Sequence, residues 1–149
     1  MSFAHGPTCG NLWKVEHDDE SLNEKKIVMK LKENLCWFDV IAQTVLRKEG
    51  NYRIFWRIKM DDATIINELS CFHLYISDDY NYDTYVHTLS KNFQNQLKQK
   101  GGWHLLHTGD VITKKDNVQV TTHLFNKQGF FKGYMIDCVL FLPEYVKIV

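Results

Sequence analysis

The chain has 149 residues, of which 44% are hydrophobic, 13% aromatic and 24% charged. A domain of that size buries roughly two-thirds of its unfolded surface, which excludes a disordered chain and removes the need for a disulfide or metal to hold a core. Its 18 basic and 18 acidic residues cancel, so the basic excess expected of a dedicated nucleic-acid binder is missing.

Residues 1–11 are polar and small and read as a flexible lead-in to one domain spanning 12–149. Trp13 anchors the start of that domain. Residues 17–26 (HDDESLNEKK) form a charge run expected to be a solvated loop, after which Ile27–Leu31 begins to alternate. A strand follows in which Cys36, Phe38 and Val40 oppose Trp37, Asp39 and Ile41. The next run is the cleanest half-buried strand of the chain: Tyr52, Ile54, Trp56 and Ile58 line one face, and Arg53, Arg57 and Lys59 the other. Phe72, Leu74 and Ile76 alternate in a further strand, and Asp78 with Asp79 supplies a turn.

From Thr84 to Lys100 the period changes. Val86, Leu89, Phe93 and Leu97 recur at helical spacing within polar sequence and stop at Gly101 and Gly102, which predicts a short amphipathic helix capped by glycine, with an irregular excursion as the competing reading. Strands then recur over Trp103–His107 and Val118–Phe125. The last strand places Tyr134, Ile136, Cys138, Leu140 and Leu142 on one face and Met135, Asp137, Val139 and Phe141 on the other. It stops at Pro143, which cannot donate a ladder hydrogen bond. Trp37, Trp56 and Trp103 sit within alternating runs and are expected in the core. Many short strands separated by turns predict an all-β antiparallel sandwich or barrel with at most one short helix in a connection.

The four cysteines (Cys9, Cys36, Cys71 and Cys138) form no CxxC pair, so zinc and thiol-redox spacings are lacking and free buried thiols are expected. The chain shows no apolar leader, no membrane-length apolar run and no Asn-x-Ser/Thr acceptor, a pattern read as a protein of the cytosol or nucleus with no membrane insertion. Catalysis finds little support. His104, His107 and His123 with Asp110 or Asp137 are the best candidates for an acid–base or metal site, yet His104 and His107 are three apart and face opposite ways in a strand. No nucleophile elbow or phosphate-cradling glycine loop occurs, so a non-enzyme without cofactor or metal is expected.

The connection before the last strand carries the functional expectation. Phe130, Phe131 and Lys132 lie between Gly129 and Gly133, with Asn126 and Gln128 alongside. Aromatic planes stack on the C–H face of a pyranose while lysine and amide groups hydrogen-bond its hydroxyls or an acetamide, so this loop reads as a sugar-binding tip, with Phe130 packed inward and only Phe131 exposed as the competing reading. The tyrosine- and aspartate-rich stretch Asp78–Tyr85 reads as a solvated loop.

The ordered blocks Cys36-Trp37-Phe38-Asp39-Val40, Gly50-Asn51-Tyr52-Arg53-Ile54-Phe55-Trp56, Trp103 with Gly109, and Phe130-Phe131-Lys132-Gly133 leading to Phe141-Leu142-Pro143 resemble the phloem protein 2 lectin family. They are also similar to the related sugar-recognition domain of F-box proteins. The resemblance runs roughly from Leu12 to Glu144. It implies a jelly-roll β-sandwich acting as a non-catalytic lectin for N-acetylglucosamine-containing or N-glycan-core oligosaccharides, with Phe130, Phe131 and Lys132 at the positions of the family's sugar-contacting aromatics and lysine. Phenylalanine here replaces the family's tryptophan. Because the family places N-terminal tryptophans near its sugar site, the resemblance also makes Trp13 a secondary site candidate, with core packing as the favoured reading. The implied partners are glycans or glycoproteins, with a homodimer as a further option. A protein-interaction module on the same sandwich, without sugar binding, is the alternative.

Overall fold

Nine strands and one helix make up the described residues of the computed structural model, which are 13–31, 38–62, 64, 71–77, 82–88, 90–126 and 133–148. In chain order they are β1 (Trp13–His17), β2 (Ile27–Leu31), β3 (Phe38–Leu46), β4 (Gly50–Met60), β5 (Cys71–Ser77), β6 (Tyr82–Thr88), α1 (Lys91–Lys100), β7 (Trp103–Thr113), β8 (Val118–Asn126) and β9 (Tyr134–Pro143). They form a five-stranded sheet, β1-β2-β9-β4-β7, and a four-stranded sheet, β3-β8-β5-β6, in which every pairing is antiparallel. From β2 to β9 the chain crosses between sheets in the order of a jelly roll, with β1 added at one edge.

Alternation along β4 builds the core. Ile54, Trp56 and Ile58 are buried to 1% exposure or less and pack with Leu31, Val111, Val120 and Ile136 from both sheets. Burying each such aliphatic side chain stabilises the fold by about 1.5–3 kcal/mol. Trp56 carries the polar link between sheets, its Nε1 donating to Thr122 Oγ1 on β8 at 3.2 Å.

Two bulges flank β4. Between Ile54 and Phe55 the pairing with β7 skips Thr108, and between Arg57 and Ile58 the pairing with β9 skips Asp137. An extra residue in one strand reverses the facing of everything beyond it. The uniform alternation expected along β9 is therefore corrected: Tyr134 and Ile136 face the core, but after Asp137 it is Val139 and Phe141 that do so, and Cys138 joins the outer face. β7 likewise continues through its bulge to Thr113, well past the expected His107.

The expected helix is also shorter than its apolar spacing suggested. Tyr82–Thr88 pairs with β5 as a strand, Val86 opposite His73, a placement that suits its β-branched and aromatic content. The helix begins only after Ser90, whose backbone is extended and whose Oγ accepts from Phe93 N at 3.2 Å. Gly101, at φ 66°, closes it as expected, its N–H donating to the carbonyls of Leu97 and Lys98. The face turned inward is only partly the predicted one, since Leu97 packs against the core but Phe93 does not. Phe93 is 39% exposed, whereas Gln94 is fully buried and accepts from Tyr134 Oη at 2.6 Å.

Candidate functional site

Of the predicted sugar-binding residues, Gln128, Phe130, Phe131 and Lys132 lie outside the described residues. Asn126 is the last residue of β8, opposite Phe38 in register. Trp13 is 9% exposed and belongs to the core cluster, paired with Leu31 across β1 and β2.

Both roots of the loop are described, and both are held. Asn126 closes the β3–β8 ladder, and on the other side Gly133 N donates to Leu31 O at 2.9 Å while Gly133 O accepts from Asp61 N at 3.3 Å. Gly133 has φ +80°, and a Cβ there would collide with Asp61 and with Thr64 Oγ1 and N. Only glycine permits this approach. The 61–64 turn is itself braced: Thr64 N donates to Asp61 O, Lys30 pairs with Asp61 Oδ2 at 3.0 Å, and Lys98 Nζ from α1 donates to Thr64 O at 3.0 Å. The hydrogen bond to Asp61 raises the pKa of Lys30 despite partial burial, so its charge is secure. A loop of six residues thus springs from two roots fixed by β2, β3, the 61–64 turn and the helix.

A second constellation, on the outer face of the five-stranded sheet, escaped sequence reading. Asp137, the bulge residue of β9, is fully buried at its side chain and accepts from Ser21 Oγ, Leu22 N at 2.9 Å, Asn23 Nδ2 at 2.9 Å and Arg57 Nη1. Burial opposes its ionisation, but the hydrogen bonds from Leu22, Ser21 and Arg57 together with the Arg57 charge outweigh it and hold the carboxyl below the usual range. The run 17–26 is mostly exposed as expected, but Ser21, 1% exposed, ties it onto the sheet through Asp137. Trp103 is corrected too. It lies on this outer face, with the Arg57 guanidinium 4.6 Å and Lys59 Nζ 5.6 Å from its ring and its Nε1 donating to Asp18 Oδ2 at 3.3 Å. One signal for the network was present in the sequence: a carboxylate in the middle of the apolar run 134–142 must find partners if buried.

Further along the same face, His107 Nε2 lies 2.7 Å from Asp110 Oδ1, and its ring is 5.0 Å from that of Phe55. His104 instead contacts Leu97 O at 3.0 Å, so the two histidines do diverge. Cys138 is a free, buried thiol, pushed up to about 12 chiefly by burial. Among the described residues no cluster of three or more His, Cys, Asp or Glu could hold a metal, and no helix is long and apolar enough to cross a membrane.

Residues 6–143 match the model of a family described as phloem protein 2. Among solved structures, the fold is shared with the carbohydrate-binding module TmCBM61 in complex with β-1,4-galactotriose, at TM-score 0.50 and 13% identity over 96% of this chain and 88% of that one. It is shared with the Podospora anserina GH26-CBM35 β-(1,4)-mannanase at TM-score 0.52 and 9% identity, over 99% of this chain and 27% of that one. The CBM22-1 xylan-binding domain from Paenibacillus barcinonensis is similar at TM-score 0.50 and 10% identity, over 95% and 86%. These likenesses establish a common β-sandwich. No curated protein matches the chain in sequence.

Proposed function

Because the chain belongs to the phloem protein 2 family, we propose that it is a non-catalytic carbohydrate-binding module for N-acetylglucosamine-containing or N-glycan-core oligosaccharides. The site is centred on Phe130, Phe131 and Lys132, with Asn126 and Gln128 as hydroxyl and acetamide partners. The observation that carries this reading is the pinned base of the β8–β9 connection, where Gly133 is locked between Leu31 and the 61–64 turn. Fixing the two ends of a short connection lowers the entropy it has to lose on meeting a ligand. The lectin character of the family supports the same reading, as does a fold shared with modules whose names record β-1,4-galactotriose and xylan.

By analogy with aromatic pairs, each sugar ring stacked on an aromatic side chain adds about 0.5–1.5 kcal/mol beyond area burial, so a single sugar binds weakly and clustered glycans bind through avidity. The test is a glycan array with the wild-type chain and Phe131→Ala. Selective retention of N-acetylglucosamine-terminated or chitobiose-core glycans, lost in the variant at unchanged melting temperature, is the expected result. Undiminished binding by Phe131→Ala, or silence on the array combined with saturable capture of a non-glycosylated protein, overturns it.

A further inference from the structure

A groove of about 230 Å³ opens on the outer face of the five-stranded sheet, between β4, β7 and the residues that follow β9. Asn51, Arg53, His107, Asp110, Ile112 and Glu144 line it. From Arg53 to Met60, the β4 end nearest the β8–β9 connection, is about 23 Å along the strand at ~3.3 Å per residue.

The groove mixes charges of both signs. Asn51 Nδ2 donates to Glu144 Oε2 at 2.9 Å, and His107 contacts Asp110. Arg53 runs beneath, its guanidinium 5.7 Å from the Phe55 ring and its Nη2 donating to Val146 O. Arg53 Nε is buried and has no acceptor among the described residues. Buried donors are ordinarily paired, and an unpaired one is costly. Two apolar surfaces complete the walls: Ile112, 67% exposed, and the half-exposed imidazole of His107 backed by Phe55.

From this arrangement we infer a second saccharide subsite, taking the vicinal hydroxyls of one neutral pyranose. The inference rests on the carbohydrate-binding reading above and extends it to a second location. Two carboxylates beside one guanidinium repel a uronate or phosphate. A hydroxyl group, which both donates and accepts, suits the mixture: one can donate to Asp110 or Glu144 while its neighbour accepts from Arg53. The volume lies below the roughly 300–1,000 Å³ of pockets for drug-sized ligands, which limits the occupant to a single ring. Gly133, at the root of the β8–β9 connection, precedes Tyr134, which pairs with Met60 at the other end of β4, so a sugar held in the groove is a different unit from one held by that connection.

Titration of the uniformly ¹⁵N-labelled full chain with N-acetylglucosamine, galactose and xylose, with glycerol as an acyclic polyol, tests this through the Arg53 Nε–H and Asn51 side-chain amide resonances. A saturable shift with at least one of the sugars and none with glycerol is expected. It should persist in Phe131→Ala and vanish in Asp110→Asn/Glu144→Gln at unchanged melting temperature. No shift with any sugar, an equal shift with glycerol, or a shift that survives the double variant overturns the inference. Sugar-dependent shifts in residues 127–132 without any at Arg53 overturn the groove alone and leave the loop site standing. Shifts at Arg53 without any in the loop support the groove and refute the loop assignment.

Discussion

Replacing Gly133 by alanine tests how the root of the candidate loop is held. The residue sits at φ +80°, and an alanine methyl would overlap Asp61 Oδ1 while lying 2.7 Å from Thr64 Oγ1 and 2.9 Å from Thr64 N. Forcing a residue with a Cβ into the left-handed region costs roughly 1–2 kcal/mol. The approach to a backbone nitrogen cannot be relieved by a rotamer change, and overpacking of this kind adds about 1–3 kcal/mol. Gly133→Ala should therefore lose about 2–5 kcal/mol, lowering Tm by roughly 5–15 °C for a domain of this size. Thermal melting followed by circular dichroism, with urea midpoints at constant m-value, reads the effect. In the Asp61→Ala background the penalty should shrink, because the carboxylate overlap is gone, but not disappear, because Thr64 N remains. A double-mutant cycle isolates that coupling from the lost Lys30 pair. A loss under about 1 kcal/mol, or strict additivity with Asp61→Ala, would refute the close-approach argument.

The remaining expectations concern the outer face. Asp137→Asn leaves Arg57 without its buried counter-charge and should cost about 3–5 kcal/mol, measured by urea unfolding; a change below about 1 kcal/mol would contradict the network. The folded-state pKa of Asp137 is depressed, so its stabilisation is present above the unfolded value near ~3.9 and is lost as pH falls through the folded value. The Tm of the wild type should consequently fall more steeply on acidification below about pH 4 than that of Asp137→Asn, and parallel curves would count against the assignment. Cys138, 5% exposed and with its thiol pushed up to about 12, should react with a disulfide reagent at neutral pH only as fast as the chain opens. A variant keeping only that cysteine should label slowly in buffer and at once in denaturant; immediate labelling in buffer would refute its burial.

The all-β antiparallel character was legible because period-two alternation is a local property. Along β4, Tyr52, Ile54, Trp56 and Ile58 alternate with Arg53, Arg57 and Lys59, and burial follows that pattern except at Phe55, which is buried on the outer face. The glycine stop of the helix was legible for the same reason, since Gly101 adopts the positive φ that glycine tolerates. The stretch 82–88 was not. Its Val86 fits a helical series with Phe93 and Leu97 as well as it fits a strand, and only pairing with β5 decides between them.

The candidate site divides in the same way. Sequence alone placed aromatic and lysine side chains on a glycine-bounded connection, because turn glycines and adjacent phenylalanines are visible one residue at a time. It could not place Asp61, Thr64 and Lys98 around Gly133, since those contacts join segments dozens of residues apart. Nor could it read the groove at Arg53, whose partners come from β7 and from the chain beyond β9.

Composition, alternation and glycine placement by themselves determined an all-β antiparallel fold, sandwich or barrel, with at most one short helix, because hydrophobic periodicity follows directly from strand and helix geometry. The facing of β9 beyond Asp137, the outward position of Trp103 and the anchoring of Ser21 were decided by tertiary structure. A bulge is defined by the neighbouring strand it fails to match, and a buried charge by the distant groups that satisfy it.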